Sequence, residues 1–450
     1  MARSLLIRIS VFILALLDLI PSVYAQDKSV NHIYGNVSEY KAFLEQTRNA
    51  NTNVLTKKIR QQYSDIITEK NEALIKQLND KGFLFDSLAY PFLNSIFLRV
   101  LATNSLDEHQ FHFFVDRSSE VNAYSYEDGT IACNLGLVTI MENESQIAMV
   151  FCHELGHYLL NHVNGAIVKQ LEKYNSPEFL AKVRALKKQE YNSKTQLQNL
   201  LVDDVFDRRK HSRSQERAAD SLGMALFKKT GYNCNTVSRV FDLLDSAESK
   251  TQVCTIGDFF KHEKISVEEE WLEPPKKISF GRVLKKEILD SLKTHPDCAQ
   301  RKIVMQTYFD KYPKPGADYL VGTFQTLSDV KRTAILDEAA YSKEKNNLSF
   351  YFYQLIQINT ILPSNRYVKT EIFNTLLLFY KHYKSHTLYT VVSNQYIPEN
   401  QNDEYAKLLK LLDSIDLTTM SQIITAYYRN NNSQIIASSE AINNLNKLNN

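Results

Sequence analysis

His153-Glu154-Leu155-Gly156-His157 is the segment whose residue types and spacing meet a chemical need. Two histidines four residues apart on a helix share a face, one turn apart, so both imidazoles can reach a single zinc ion at about 2.0–2.1 Å. Glu154 follows the first ligand directly and so points beside the metal rather than at it. A general base belongs there, to take a proton from a water whose pKa the metal lowers towards ~7. Gly156 is expected to leave room beside the metal. The bland alternative is a chance match on a surface helix. Against it, Asn143 to Gln146 reads as a capping box, and Ile147, Val150, Phe151, Leu155, Tyr158 and Leu159 recur at helical spacing.

A third ligand is needed. A third histidine six residues on would require Gly and His at positions that hold Leu160 and Val163. His162 lies about 140° around a continuous helix from His157, which makes it an exposed or capping histidine rather than a ligand. A second helix offers Ser214-Gln215-Glu216-Arg217-Ala218-Ala219-Asp220. Glu216 and Asp220 again share a face, so Glu216 would ligate and Asp220 would accept a hydrogen bond from the far nitrogen of a ligand histidine. Ala218 and Ala219 would let the two helices pack closely. Cys152 is expected to face away from the metal as a core thiol, and His109, His112 and His211 have no partner at metal spacing.

These residues resemble the HtpX-like and CAAX-prenyl-protease-like zinc metallopeptidases, peptidase family forty-eight of the metallo type, in the soluble periplasmic BepA-like subtype. Asn122-Ala123, Gly136-Leu137, His153 to His157, Glu216 with Ala219-Asp220-x-x-Gly223, and Thr294-His295-Pro296 with Arg301 carry the likeness, over residues 85–312. It implies an α+β, mostly α, gluzincin-type domain with a small β-sheet, an active-site helix and one Zn2+ per chain. It also implies that the strand Thr130-Ile131-Ala132-Cys133-Asn134 is an active-site edge to which a peptide substrate adds, an ordinary core strand being the alternative. His295 would stabilise an oxyanion or occupy the open zinc position, and Arg301 would act near the metal or brace a carboxylate.

Other elements must position these groups. Phe111–Val115, Asn122–Tyr126 and Thr130–Leu135 read as strands, the last two joined by a turn at Glu127-Asp128-Gly129. Residues 26–84 read as an N-terminal helical segment. A long charged helical stretch follows His162, and a helix over 214–229 stops at Gly231. Residues 313–450 read as a helical C-terminal region, either a degenerate tetratricopeptide-like array or an ordinary appendage, with Asn-rich gaps at 346–347 and 430–432.

The chain has 450 residues, 44% apolar, with a formal net charge of +2, so no global field points to nucleic acid or an anionic membrane. Five cysteines without a C-x-x-C pair exclude a disulfide framework or a zinc–thiolate site. Arg3 and Arg8, the apolar run Ile9–Ile20, Pro21 and Val23-Tyr24-Ala25 read as a signal peptide over 1–25. That run is shorter than the roughly 18 residues a membrane span needs. The expectation is thus an exported, periplasmic or secreted metalloendopeptidase with a polypeptide substrate and no integral membrane segment after processing. Its helical C-terminus would offer a surface to a protein partner. The rival class is a largely latent zinc domain serving as an assembly factor or chaperone-like binder.

Overall fold

The computed structural model describes residues 37–85, 88–187, 213–248, 254–272, 298–313, 316–392 and 402–448. The signal peptide read at 1–25, His211 and the Thr294-His295-Pro296 element lie outside the described residues. Two units are present, one drawn from 30–248 and 281–335, the other from 249–280 and 336–450. The fold is α+β and mostly helical, with a single four-stranded sheet among the described residues. Among these residues no helix is long and apolar enough to cross a membrane.

In the first unit the amphipathic pattern after Asn36 becomes α1 (Val37–Asn53) and α2 (Lys57–Asn79), which pack on each other. The periodic residues Ile59, Tyr63, Ile67, Leu74 and Leu78 are buried, while Ile66 is at the exposed edge of the stripe. After β1 (Phe83–Leu84), a strongly apolar stretch forms α3 (Ala89–Thr103). The three expected strands then appear as β2 (His112–Asp116), β3 (Ala123–Ser125) and β4 (Thr130–Asn134).

Their order, β1-β2-β4-β3, corrects one expectation. The strand Thr130-Ile131-Ala132-Cys133-Asn134 is not an edge. It pairs in parallel with β2, His112 opposite Thr130, and antiparallel with β3, Ala123 opposite Cys133. All five of its residues are buried, so its main-chain groups are taken on both sides and no peptide can add to it. The edge beside it is β3. Tyr126 N–H donates to Thr130 O at 2.8 Å and Asn134 N–H to Asn122 O at 3.0 Å, which turns the main-chain groups of Ala123 and Ser125 outward.

The β3–β4 turn needs a glycine: Gly129 has φ +95°, and a Cβ there would lie 2.5 Å from the Gln110 carbonyl oxygen. Asp128 accepts from Thr130 N–H at 2.8 Å, and Tyr40 of α1 meets the Thr130 hydroxyl at 2.7 Å.

The hairpin leads through α4 (Leu135–Ile140) to α5 (Glu144–Leu159), the helix bearing the histidine pair. Asn143 caps it by accepting from Gln146 N–H at 3.0 Å, and Gln146 reaches back to Glu142 N–H at 2.7 Å. Phe151 pins α5 edge-on to Phe97 of α3 and Phe113 of β2. Glu144 is wholly buried in the first turn of α5. Its carboxylate accepts from the N–H groups of Leu320, Val321 and Gly322 at 2.8, 2.9 and 2.6 Å and from the Tyr232 hydroxyl at 3.0 Å. A carboxylate there also suits the positive end of the helix dipole.

Next come α6 (His162–Tyr174), α7 (Pro177–Lys187), a helix α8 over described residues 213–227, and α9 (Arg239–Glu248). After α10 (Ile256–His262) of the second unit, the first unit resumes with α11 (Cys298–Lys311).

The second unit adds the end of α12 (Phe324–Glu344), α13 (Leu348–Ile361), α14 (Arg366–Lys384), α15 (Asn402–Ser414), α16 (Leu417–Asn431) and α17 (Ser439–Leu448). Helix α13 is apolar nearly all round and correspondingly buried, packed on α14 and α15. The Asn-rich stretches are structural. Asn347 caps α13, and Asn431 is buried at the end of α16, donating to Glu263 Oε2 at 2.6 Å. Glu263 also pairs with buried Lys369 at 2.8 Å, so neither charge is left uncompensated.

The hairpin turn carries a pH dependence. Burial pushes the Asp128 carboxyl up from 3.8 to about 6, against the pull of the Thr130 N–H. A folded value raised this way gives stability that is full below about pH 4 and is lost as pH rises through about 6, by ~3 kcal/mol at most. Asp128→Asn keeps an acceptor for Thr130 and should abolish that slope. Urea unfolding of both proteins at pH 4, 5, 6 and 7 checks this, and a difference that does not vary with pH refutes it.

Candidate metal centre and active site

Helices α5 and α8 cross with almost no space between their backbones. A Cβ on Gly156 would lie 2.8 Å from the Ala219 carbonyl oxygen, and one on Gly223 would lie 3.1 Å from His153 Cα. Gly156 therefore serves the approach to α8, whereas the sequence suggested that it makes room beside a metal.

At this crossing three side chains converge. His153 Nε2 and His157 Nε2 are 3.1 Å apart, and Glu216 places its two oxygens 3.4 Å from the first and 3.3 Å from the second. Four ligands at about 2.0–2.1 Å in a tetrahedron lie about 3.3 Å from one another. Two imidazole nitrogens at about that separation, with one Glu216 oxygen facing each, are a donor set that suits a tetrahedral ion. His153, His157 and Glu216 are also the residues whose ligand atoms mutually approach closely enough to hold a metal among the described residues.

Behind these atoms lies a charged layer. Asp220 Oδ1 is 2.9 Å from His153 Nδ1, the contact expected from its helical spacing. Arg301, from α11, donates two hydrogen bonds of 2.7 Å to the Asp220 carboxylate and lies 3.0 Å from Glu216 Oε2. Its guanidinium rests on the Phe241 ring, 4.9 Å from the centroid. Arg301 therefore braces carboxylates. Burial alone would lower the His153 pKa, but Asp220 and Glu216 outweigh it and raise it to about 9. Burial works the other way on Asp220, where His153 and Arg301 win and hold the carboxyl at about 2.

His157 is backed differently. Its Nδ1 is 3.0 Å from Nδ1 of His162, the two rings meeting edge to face. Sequence reasoning missed this contact because it carried one helical phase through residue 162. Asn161 instead adopts a left-handed conformation, φ 54°, which ends α5 and starts α6 with a new phase.

Glu154 is 4% exposed and lines a small cleft with His153, Asp220 and Arg301. Ala123, Leu137, Val150, Phe241, Leu244 and Met305 make the cleft's wall largely apolar. Ala123 belongs both to this wall and to the β3 edge. Cys152 and Cys133 are fully buried, and burial pushes both thiols up. His109 is exposed, and burial lowers His112 to about 4; neither joins the cluster. His295 lies outside the described residues.

Residues 89–306 match the family model described as peptidase family M48. They form an M48 peptidase domain. This M48 domain is similar to the putative beta-barrel assembly-enhancing protease of Vibrio cholerae serotype O1, 23% identical over 171 residues, 37% of this chain and 35% of that protein. The beta-barrel assembly-enhancing protease of Escherichia coli O157:H7 is 24% identical over 179 residues, 38% of this chain and 36% of its own length. Metalloprotease YcaL of Escherichia coli K12 is 26% identical over 154 residues, 32% of this chain and 55% of that protein. The match spans little more than a third of the length of the first two relatives.

If the glycine crossing sets the site of the M48 domain, Gly156→Ala should force α8 away from α5. The expected outcome is roughly tenfold weaker divalent-metal binding by chelator competition, with about 1–3 kcal/mol lost from stability. Unchanged affinity would mean that the helices do not fix the ligand distances.

Proposed function

We propose that this chain is a zinc-dependent metalloendopeptidase that holds one zinc per chain through His153, His157 and Glu216. The observation that carries the reading is the convergence of two imidazole nitrogens 3.1 Å apart on the Glu216 carboxylate, which faces both, beside the buried carboxylate of Glu154. When bound, zinc supplies Lewis-acid polarisation of a peptide carbonyl and acidifies the attacking water.

The chain's own groups do the rest. Asp220 fixes the tautomer of His153 so that its Nε2 lone pair faces the ion, and Arg301 holds Asp220 and Glu216 in place. Glu154 takes a proton from the water as it attacks and passes it to the leaving amine. Ala123 and Ser125 on the β3 edge offer the main-chain hydrogen bonds that lay an extended peptide over Glu154. The apolar wall of the cleft then receives a hydrophobic side chain of that peptide. His295 is assigned to the oxyanion on resemblance alone.

The substrates we infer are exported or envelope proteins, and the chain itself is exported. The signal-peptide pattern at 1–25 supports this, together with relatives named as beta-barrel assembly-enhancing proteases.

Purified chain and Glu154→Gln should each carry one zinc. Cleavage of casein or a fluorogenic peptide should fall about 100- to 10,000-fold in the variant. Zinc in neither protein sinks the metal reading, and equal turnover by both sinks the role of Glu154.

A further inference from the structure

We propose that His162 is a positioning residue for the metal centre, fixing the tautomer and ring orientation of His157 through a hydrogen bond between the two Nδ1 atoms. The inference rests on the zinc reading above. A neutral imidazole carries one proton, so a histidine that ligates through Nε2 carries it on Nδ1, where an acceptor fixes the ring. Asp220 is that acceptor for His153. For His157, Nδ1 of His162 lies within hydrogen-bond reach of Nδ1, at 3.0 Å, among the described residues. The contact lies on the far side of the His157 ring from Nε2, which meets His153 and Glu216. His162 is thus outside the ligand set and behind one of its members. To accept this hydrogen bond, His162 must be neutral with its own proton on Nε2.

The main chain holds His162 there. The left-handed Asn161 starts α6 at residue 162, and the His162 carbonyl accepts from the Gln215 side chain of α8 at 3.3 Å. Helix α6 is in turn seated on α2, with Leu171, Ile167 and Val168 against Ile59, Tyr63 and Ile67, and with a hydrogen bond from Tyr63 to Asn164. The N-terminal helices, far from the histidine motif in sequence, thereby set the angle of a ligand ring.

The test compares wild type, His162→Phe and His162→Gln as full chains. His162→Phe keeps a ring but removes the acceptor, and should weaken zinc binding about 10- to 100-fold by chelator competition. His162→Gln offers an amide oxygen and should recover most of that loss. Loaded with zinc, His162→Phe should show a lower kcat with KM unchanged, because His162 does not touch substrate. Nitrogen-15 NMR of zinc-loaded, histidine-labelled wild type should show an Nε2-protonated ring at the signal that His162→Gln removes.

Wild-type zinc affinity in His162→Phe overturns the proposal. So does a His162→Gln that melts like wild type yet binds zinc as weakly as His162→Phe, or an Nδ1-protonated His162. If His162→Phe does not fold, the tautomer measurement decides. A wild type that binds no zinc overturns both this proposal and the metalloendopeptidase reading, whereas zinc-binding wild type with any of the preceding results overturns this proposal alone.

Discussion

Histidine and glutamate side chains reach only a short way, so the convergence of His153, His157 and Glu216 within 3.1–3.4 Å requires two helix backbones at one particular separation. Gly156 and Gly223 set it, each presenting bare backbone to the other helix. A core of this density does not yield by half an ångström without cost. Much of the first unit acts to keep that separation constant. Phe151 wedges α5 against α3 and β2, Asn143 closes its first turn, and Glu144 anchors that turn to the segment 320–322. The site is therefore a property of a packed crossing rather than of a five-residue motif.

Charge supplies the second constraint. Glu154, Glu216 and Asp220 are three buried carboxylates around the helix crossing, an arrangement that is costly without compensation. Arg301 returns one positive charge, placed against Asp220 and Glu216. The raised pKa of His153 belongs to the same balance, since a proton on its ring occupies part of the space and charge that a metal would take. Metal uptake at such a site releases protons, which couples affinity to pH.

The sequence made legible what is encoded by short periodicities. The histidine pair, the partnership of Glu216 with Asp220, the cap at Asn143 and the Asp-Gly hairpin all follow from helical or turn spacing, and all have the expected geometry. Features that depend on pairing between distant segments were not legible. Thr130–Asn134 was recognisable as a strand, but its interior position depends on β2 lying parallel to it, which no local signal specifies. Glu144 looked like an ordinary first-turn acid until residues 320–322 closed over it. His162 was dismissed because one left-handed residue, Asn161, changed the helical phase.

His153 and His157 have unlike partners, and the buried charge around them gives a reason. A carboxylate behind a ligand imidazole orients it and raises its basicity, as Asp220 does for His153. A second carboxylate behind His157 would orient that ring equally well. It would also add a fourth carboxylate to the buried Glu154, Glu216 and Asp220, in a region where uncompensated charge is expensive. A neutral imidazole accepts the same hydrogen bond without adding charge, and His162 stands 3.0 Å from the atom that needs it. The asymmetry between Asp220 and His162 thus orients both rings while adding one buried carboxylate rather than two.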